Sequence, residues 1–132
     1  MTESNPLVCV TGATGYIGGR LLPLLEQRGS CVRCLTRRPE TLVPHVSEST
    51  EVARTDIFDR EALVRALQGV STAYYLVHSM GASGNFAEND RRAATNFAEA
   101  ATESGVRRII YLGGLGDPEL PLSEHLRSRQ EV

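Results

Sequence analysis

Three glycines set three residues apart constrain this chain more than any other feature. The run Thr11-Gly12-Ala13-Thr14-Gly15-Tyr16-Ile17-Gly18 follows a short apolar, β-branched stretch, Leu7 to Thr11. After it, Ile17, Leu21, Leu24 and Leu25 recur at helical spacing. The order is therefore strand, glycine-rich turn, helix. In such a turn Gly12 permits a sharp exit from the strand, Gly15 lets a phosphate approach the backbone, and Gly18 lets the helix pack closely on the sheet. Free N–H groups and the positive end of the helix dipole then face a pyrophosphate. Gly12, Thr14, Gly15, Tyr16, Ile17 and Gly18 are thus candidate dinucleotide-binding residues. The other reading of the same glycines is a plain turn.

The alternation continues along the chain. Gly29 stands where the first helix needs a left-handed cap, and Pro23 removes one bond inside that helix, to the carbonyl of Gly19, which predicts a local bend. Cys31 to Thr36 reads as a second strand and Glu51 to Arg54 as a poor third. A helix around Arg60 to Gln68 follows, with Leu63, Val64 and Leu67 on one face and Gly69 closing it. Ala73 to Val77 is the fourth strand. Phe86, Ala93, Ala94, Phe97, Ala98 and Ala101 mark one face of a long helix ended by Gly105, and Arg107 to Leu112 is the fifth strand. Strands alternating with helices imply right-handed βαβ crossovers, so the expected class is α/β: a Rossmann-type doubly wound parallel sheet of about five strands in a single domain, residues 1–132. Ser123 is placed to cap a last helix with Leu126 inward, yet the sequence stops at Val132 without a capping glycine. The expectation is an amino-terminal fragment that lacks its substrate part, the alternative a naturally short domain.

Composition narrows the partners. Among 132 residues, 14 basic side chains face 16 acidic ones, and 41% are hydrophobic. That balance argues against nucleic acid or an anionic membrane as partner and leaves a small molecule. Met1 to Pro6 are polar, with no signal peptide readable, and no apolar run approaches the roughly 20 residues a bilayer requires, so a cytoplasmic location is expected. Cys9, Cys31 and Cys34 are odd in number, and the last two would point to opposite faces of one strand. They read as structural thiols, with a redox or metal role as the alternative; no metal site is assigned. All fourteen basic residues are Arg, so a mechanism that needs a lysine amine cannot be completed within these residues.

The glycine loop resembles the T-G-x-x-G-x-[IVL]-G fingerprint of the extended and atypical short-chain dehydrogenase/reductase superfamily, and the resemblance covers nearly the whole chain. From Ala73 to Val132, the stretches A-Y-Y-L-V-H-S-M, D-R-R-A-A-T-N-F, Y-L-G-G-L-G and H-L-R-S-R-Q-E-V are similar to the atypical NAD(P)H-binding branch near the NmrA-like proteins. The resemblance implies that Asp56 and Ile57 are the acidic-apolar pair that contacts adenine, though a helix-cap aspartate is the other reading. It implies that Leu76, Val77 and His78 line the ribose and nicotinamide side; His78 alone reads equally as a satisfied polar residue. Asn96 resembles an Asn on the long helix of extended members, or is a solvated helix residue.

Charge bears on the choice of cofactor. An NAD site usually places a carboxylate about 20 residues past the loop, at the end of the second strand, to hold the ribose 2′-hydroxyl. Here stand Thr36, Arg37 and Arg38. Guanidinium groups bind a 2′-phosphate in a fork, which favours NADP(H), with NAD as the alternative; merely solvated arginines are the bland reading. Reductases of the superfamily typically use a Ser after the fifth strand and Tyr-x-x-x-Lys on the next helix, but Gly113 and Gly114 replace the Ser, and His125 and Arg129 stand at the four-residue spacing. His125 as proton donor and Arg129 as fixed cation are the candidate catalytic pair, against an ordinary surface pair. The expected function is an NAD(P)H-dependent oxidoreductase acting on an unidentified carbonyl-type substrate. A dinucleotide sensor without turnover is the alternative, and sugar-nucleotide epimerisation ranks lowest because it needs the missing Tyr and Lys.

Overall fold

The computed structural model describes residues 6–77 and 86–112. Five strands form one sheet: β1 (Leu7–Thr11), β2 (Cys31–Thr36), β3 (Glu51–Arg54), β4 (Val70–Tyr75) and β5 (Arg108–Tyr111). The helices are α1 (Tyr16–Gln27), α2 (Arg60–Ala66) and α3 (Phe86–Ser104). The strand order is β3-β2-β1-β4-β5 and every pair is parallel, with Val10 beside Cys34 on one side and Tyr74 on the other. The chain winds outward from β1 in one direction and then, from β4, in the other. That reversal opens a crevice beyond the carboxyl ends of β1 and β4, where open α/β sheets bind ligands.

Alternation along the buried strands builds two cores. Cys9, Leu35, Ala73 and Tyr75 meet Leu63, Leu67, Phe97, Ala100 and Ala101 on one face, while Val10, Val32 and Cys34 meet Leu22, Leu25 and Leu42 on the other. Cys31 is exposed and Cys34 buried, so the two thiols do point apart as strand geometry demands. Burial pushes the Cys9 thiol up to about 11 and the Cys34 thiol to about 12, leaving both as neutral packing groups at ordinary pH. The guanidinium of Arg33 ties the second strand to its neighbours: Nε donates to Glu51 at 2.7 Å and Nη1 to the carbonyls of Ala66 and Gln68 at 2.7 and 2.8 Å. A cation is well placed there, at the carboxyl end of α2.

The structure corrects the sequence reading at several boundaries. β4 starts at Val70, three residues before the expected Ala73, because Val70 and Thr72 already pair with Leu7 and Val8; it ends at Tyr75, before Val77. β5 is Arg108–Tyr111, one residue shorter at each end, and α2 stops at Ala66 with Leu67 as its cap. On α1 the buried residues are Gly18, Leu22 and Leu25, while Ile17 and Leu24 are exposed, since the inward face must include Gly18. On α3 it is Ala100, not Ala98, that enters the core. Pro23 leaves α1 continuous from Tyr16 to Gln27, and Gly29 takes the expected left-handed turn with φ +78°. Among the described residues no helix is long and apolar enough to cross a membrane.

Candidate functional site

A cleft of about 1020 Å³ opens at the carboxyl ends of the strands. Its floor is the turn Gly12–Gly15, its outer wall runs from Thr36 to Arg38 and on to Leu42 and His45, and Ile57, Leu76 and Val77 line the rest.

The three glycines of the floor differ in what holds them. Gly12 has φ +98°, and a Cβ there would lie 2.9 Å from the backbone carbon and oxygen of Leu76. That approach is fixed because the Leu76 amide donates to the Thr11 carbonyl at 2.9 Å. A Cβ on Gly18 would overlap the carbonyl oxygen of Gly12 and lie 2.8 Å from Cα of Ala13. Gly15 is another matter: its φ is −80°, and an added Cβ would meet only the Gly12 oxygen at 3.4 Å. Nothing among the described residues requires a glycine at this position. It is the amino-terminal cap of α1, with no side-chain cap and no acidic residue in the first turn. The first-turn amides of a helix have no intrahelical acceptor, so a bare backbone surface with a positive dipole faces the cleft. These residues fit the diphosphate of a dinucleotide: a ligand that approaches closely uses the space a Cβ on Gly15 would fill.

Thr14 lines the cleft beside Gly15, but the side chains of Tyr16 and Ile17 do not. Tyr16 is exposed, its ring lying under the Arg20 guanidinium at 4.4 Å. The backbone amides of Tyr16, Ile17 and Gly18 are the first-turn amides of α1. Arg37 and Arg38 both border the cleft, and neither forms an ion pair among the described residues. The backbone of Arg38 is pinned, its N–H donating to Thr36 Oγ1 at 3.1 Å and its carbonyl accepting from Thr41 Oγ1 at 2.8 Å.

Ile57 and Val77 reach the cleft as expected. Asp56 instead lines an adjoining recess of about 340 Å³ with Arg37, Arg38, Glu40, Arg54 and Thr55. Its Oδ1 accepts the Phe58 N–H at 2.9 Å, which makes it a turn former; the cap of α2 is Asp59, which accepts from the Ala62 amide at 3.1 Å. Asn96 reaches across from α3 to hold this turn, Nδ2 donating to the carbonyls of Phe58 at 3.1 Å and Ile57 at 3.5 Å. It is neither a free surface residue nor a wall of the cleft. His78, Gly113, Gly114, Ser123, Leu126, His125 and Arg129 lie outside the described residues.

Leu76 lines the cleft beside Val77, and Leu42, His45 and Thr55 join the site without having been signalled by any motif. The outer wall is held to α1 by Glu26, whose Oε2 accepts from the Ser47 amide at 2.8 Å and from Thr50 Oγ1 at 2.5 Å. Burial opposes the charge on Glu26, but the hydrogen bonds from Thr50 and Ser47 outweigh it and hold the carboxyl below its ordinary range.

Known proteins share this arrangement. The chain is 29% identical to a 3 beta-hydroxysteroid dehydrogenase/Delta 5→4-isomerase of Mycobacterium tuberculosis over 94% of its own length and 39% of the relative's. Among solved structures it resembles the triphenylmethane reductase of a Citrobacter species, complexed with NADP(H), with a TM-score of 0.77 at 25% identity, over 94% of this chain and 44% of that one. The NADPH complex of an NADPH-dependent quinone oxidoreductase of Escherichia coli gives 0.73 at 28% identity, over 93% and 43%. The chain thus spans about two fifths of the curated relative it matches. The sequence profile of a family described as NAD(P)H-binding matches residues 12–129, and by that match, in keeping with the Rossmann-type sheet and the short-chain dehydrogenase/reductase resemblance, the chain belongs to the NAD(P)H-binding family.

Proposed function

We propose that this chain is the coenzyme-holding part of an NADP(H)-dependent oxidoreductase that reduces a carbonyl-type small molecule. The observation that carries the reading is the backbone cradle at Gly15, where an added Cβ would meet only the Gly12 oxygen among the described residues, whereas the chain itself closes on Gly12 and Gly18. Arg37 and Arg38, bordering the cleft without ion pairs among the described residues, support the 2′-phosphorylated coenzyme over NAD. The two NADP(H)-bearing structural relatives are consistent with that choice. The bound coenzyme supplies a hydride; the residues of this chain orient it. First-turn amides of α1 hold the diphosphate, Ile57 offers an apolar surface to the adenine end, and Val77 borders the opposite end of the cleft. His125 and Arg129 complete the proposal as proton donor and fixed cation.

The replacement of Ser by Gly113-Gly114, together with the lack of any Lys, favours one other reading, a cytoplasmic sensor that binds the coenzyme without turnover. Titration of the full-length protein with NADPH and NADH, followed by a panel of carbonyls and quinones, separates the two. Oxidation of bound NADPH supports the reductase, and tight binding without oxidation supports the sensor. Arg37→Ala is expected to weaken NADPH by about ten-fold and NADH by far less. Equal losses for both would contradict the NADP(H) choice.

A further inference from the structure

The recess beside the cleft contains an arginine that no motif signals. Arg54 is the last residue of β3, directly opposite Thr36, the last residue of β2. The Thr55 amide donates to the Thr36 carbonyl at 2.8 Å, so the ladder runs one step further and fixes the exit of both strands. Arg54 therefore leaves β3 alongside the place where Arg37 and Arg38 leave β2, and all three line the same recess. Arg37, Arg38 and Thr55 also line the main cleft, which makes the two spaces continuous.

The charges of the recess are unbalanced. Arg33 is engaged by Glu51, and Arg60 by Glu99 and Glu103, whereas Arg37, Arg38 and Arg54 form no ion pair among the described residues. Two carboxylates share the space, Glu40 and Asp56, and Asp56 already accepts the Phe58 amide. Three guanidinium groups against two carboxylates leave one net positive charge at the edge of a dinucleotide cleft. That excess attracts an anion, and a phosphate monoester offers the three guanidinium groups the oxygens that their forked donors suit.

We infer that Arg54 is the third guanidinium of the 2′-phosphate pocket and a specificity-determining residue for NADP(H), an inference that rests on the NADP(H) reading above. Arg37 and Arg38 approach the phosphate from the β2 end and Arg54 from the β3 end, so selectivity is shared across two strands.

The test compares NADPH and NADH affinity of the full chain with those of Arg54→Ala, Arg54→Lys and the Arg37→Ala/Arg38→Ala double variant. Because Arg54 is exposed, unchanged thermal unfolding is expected for its variants. Arg54→Ala is expected to raise the NADPH dissociation constant about ten-fold while changing that of NADH less than about two-fold, with Arg54→Lys intermediate. The NADPH loss shrinks as salt screens the charges. Equal effects on the two coenzymes, or none, overturn the role of Arg54. If the double variant loses NADPH preference while Arg54→Ala retains it, the inference falls and the NADP(H) reading stands; if the unaltered protein binds both coenzymes alike, the reading falls with it.

Discussion

The two walls of the coenzyme cleft are built on different principles. The floor, Gly12 to Gly18, is fixed by local stereochemistry: a positive φ at Gly12, a closed contact at Gly18 and a helix start at Gly15 lie within seven residues. The outer wall, Arg37 to Phe58, is assembled from afar. Its parts are held by the β2–β3 ladder, whose partners such as Thr36 and Arg54 are 18 residues apart, by Glu26 of α1, 21 residues from Ser47, and by Asn96 of α3, 38 residues from Phe58. Substitutions in the floor should therefore separate folding from binding position by position, while substitutions that loosen the outer wall should weaken both modestly.

The sharpest form of that contrast lies inside the floor. Gly18→Ala drives a methyl into the Gly12 carbonyl, a backbone atom that cannot swing away, so α1 has to shift off the sheet. A loss of about 3 kcal/mol or more in unfolding free energy is expected, since rigid overpacking sits at the upper end of such costs. Gly15→Ala meets no such obstacle. Its stability should change by no more than about 1 kcal/mol, whereas NADPH affinity should fall at least about ten-fold because the methyl occupies the diphosphate cradle. Chemical denaturation and fluorescence titration of the same two variants measure both quantities. Equal losses of stability would break the distinction between glycines held by the chain and a glycine held for the ligand.

This contrast also explains what was legible in the sequence. The strand-turn-helix floor, the parallel α/β order and the thiols on opposite faces of β2 follow from spacing and alternation alone. The helix-cap reading of Asp56 fails because Asp56 and Asp59 stand three residues apart in the sequence, and only the acceptor geometry separates turn former from helix cap. Ser71 and Thr72 look like strand borders, yet they belong to β4: Ser71 Oγ donates to the Leu7 carbonyl at 3.2 Å and Thr72 pairs with Val8. Arg54 left no signal because its place depends on strand register, and although the family resemblance pointed to Asn96, its hold on the Ile57 and Phe58 carbonyls depends on helix packing; neither is written in a local pattern.

Asn96→Ala probes the outer wall from the α3 side. It strips the hydrogen bonds that hold the Ile57 and Phe58 carbonyls, and about 1–2 kcal/mol of stability is expected to go with them. The cation of Arg92 over the Phe58 ring, at 5.1 Å, remains to hold part of the turn. NADPH affinity should weaken by about three-fold, through displacement of Ile57 at the adenine end, with NADH weakened equally. That equal loss would distinguish a positioning residue from the arginines, whose removal is expected, on the proposed NADP(H) reading, to weaken NADPH selectively. A larger effect on NADPH than on NADH would place Asn96 in the charge pocket instead.

Glu26 gives the smallest effect and one with a pH signature. Its carboxyl is held below the ordinary carboxylate range in the folded chain, so the folded state favours the charged form relative to the unfolded one. The resulting stabilisation is fully present above the unfolded-state pKa and is lost as pH falls through the lower folded-state value. Glu26→Gln removes the charge but keeps an acceptor for the Ser47 amide and the Thr50 hydroxyl. The variant should be slightly less stable than the parent at pH 7, and the two unfolding curves should converge as the pH is lowered through the acid range. Because the bonds from Ser47 and Thr50 link α1 to the segment that carries His45 and the outer cleft wall, the same convergence should appear in coenzyme affinity. A difference that is constant with pH would mean that the contact acts by shape alone, and the outer wall would then be tethered by packing of Leu42 and Val46 against α1 and its strands rather than by charge.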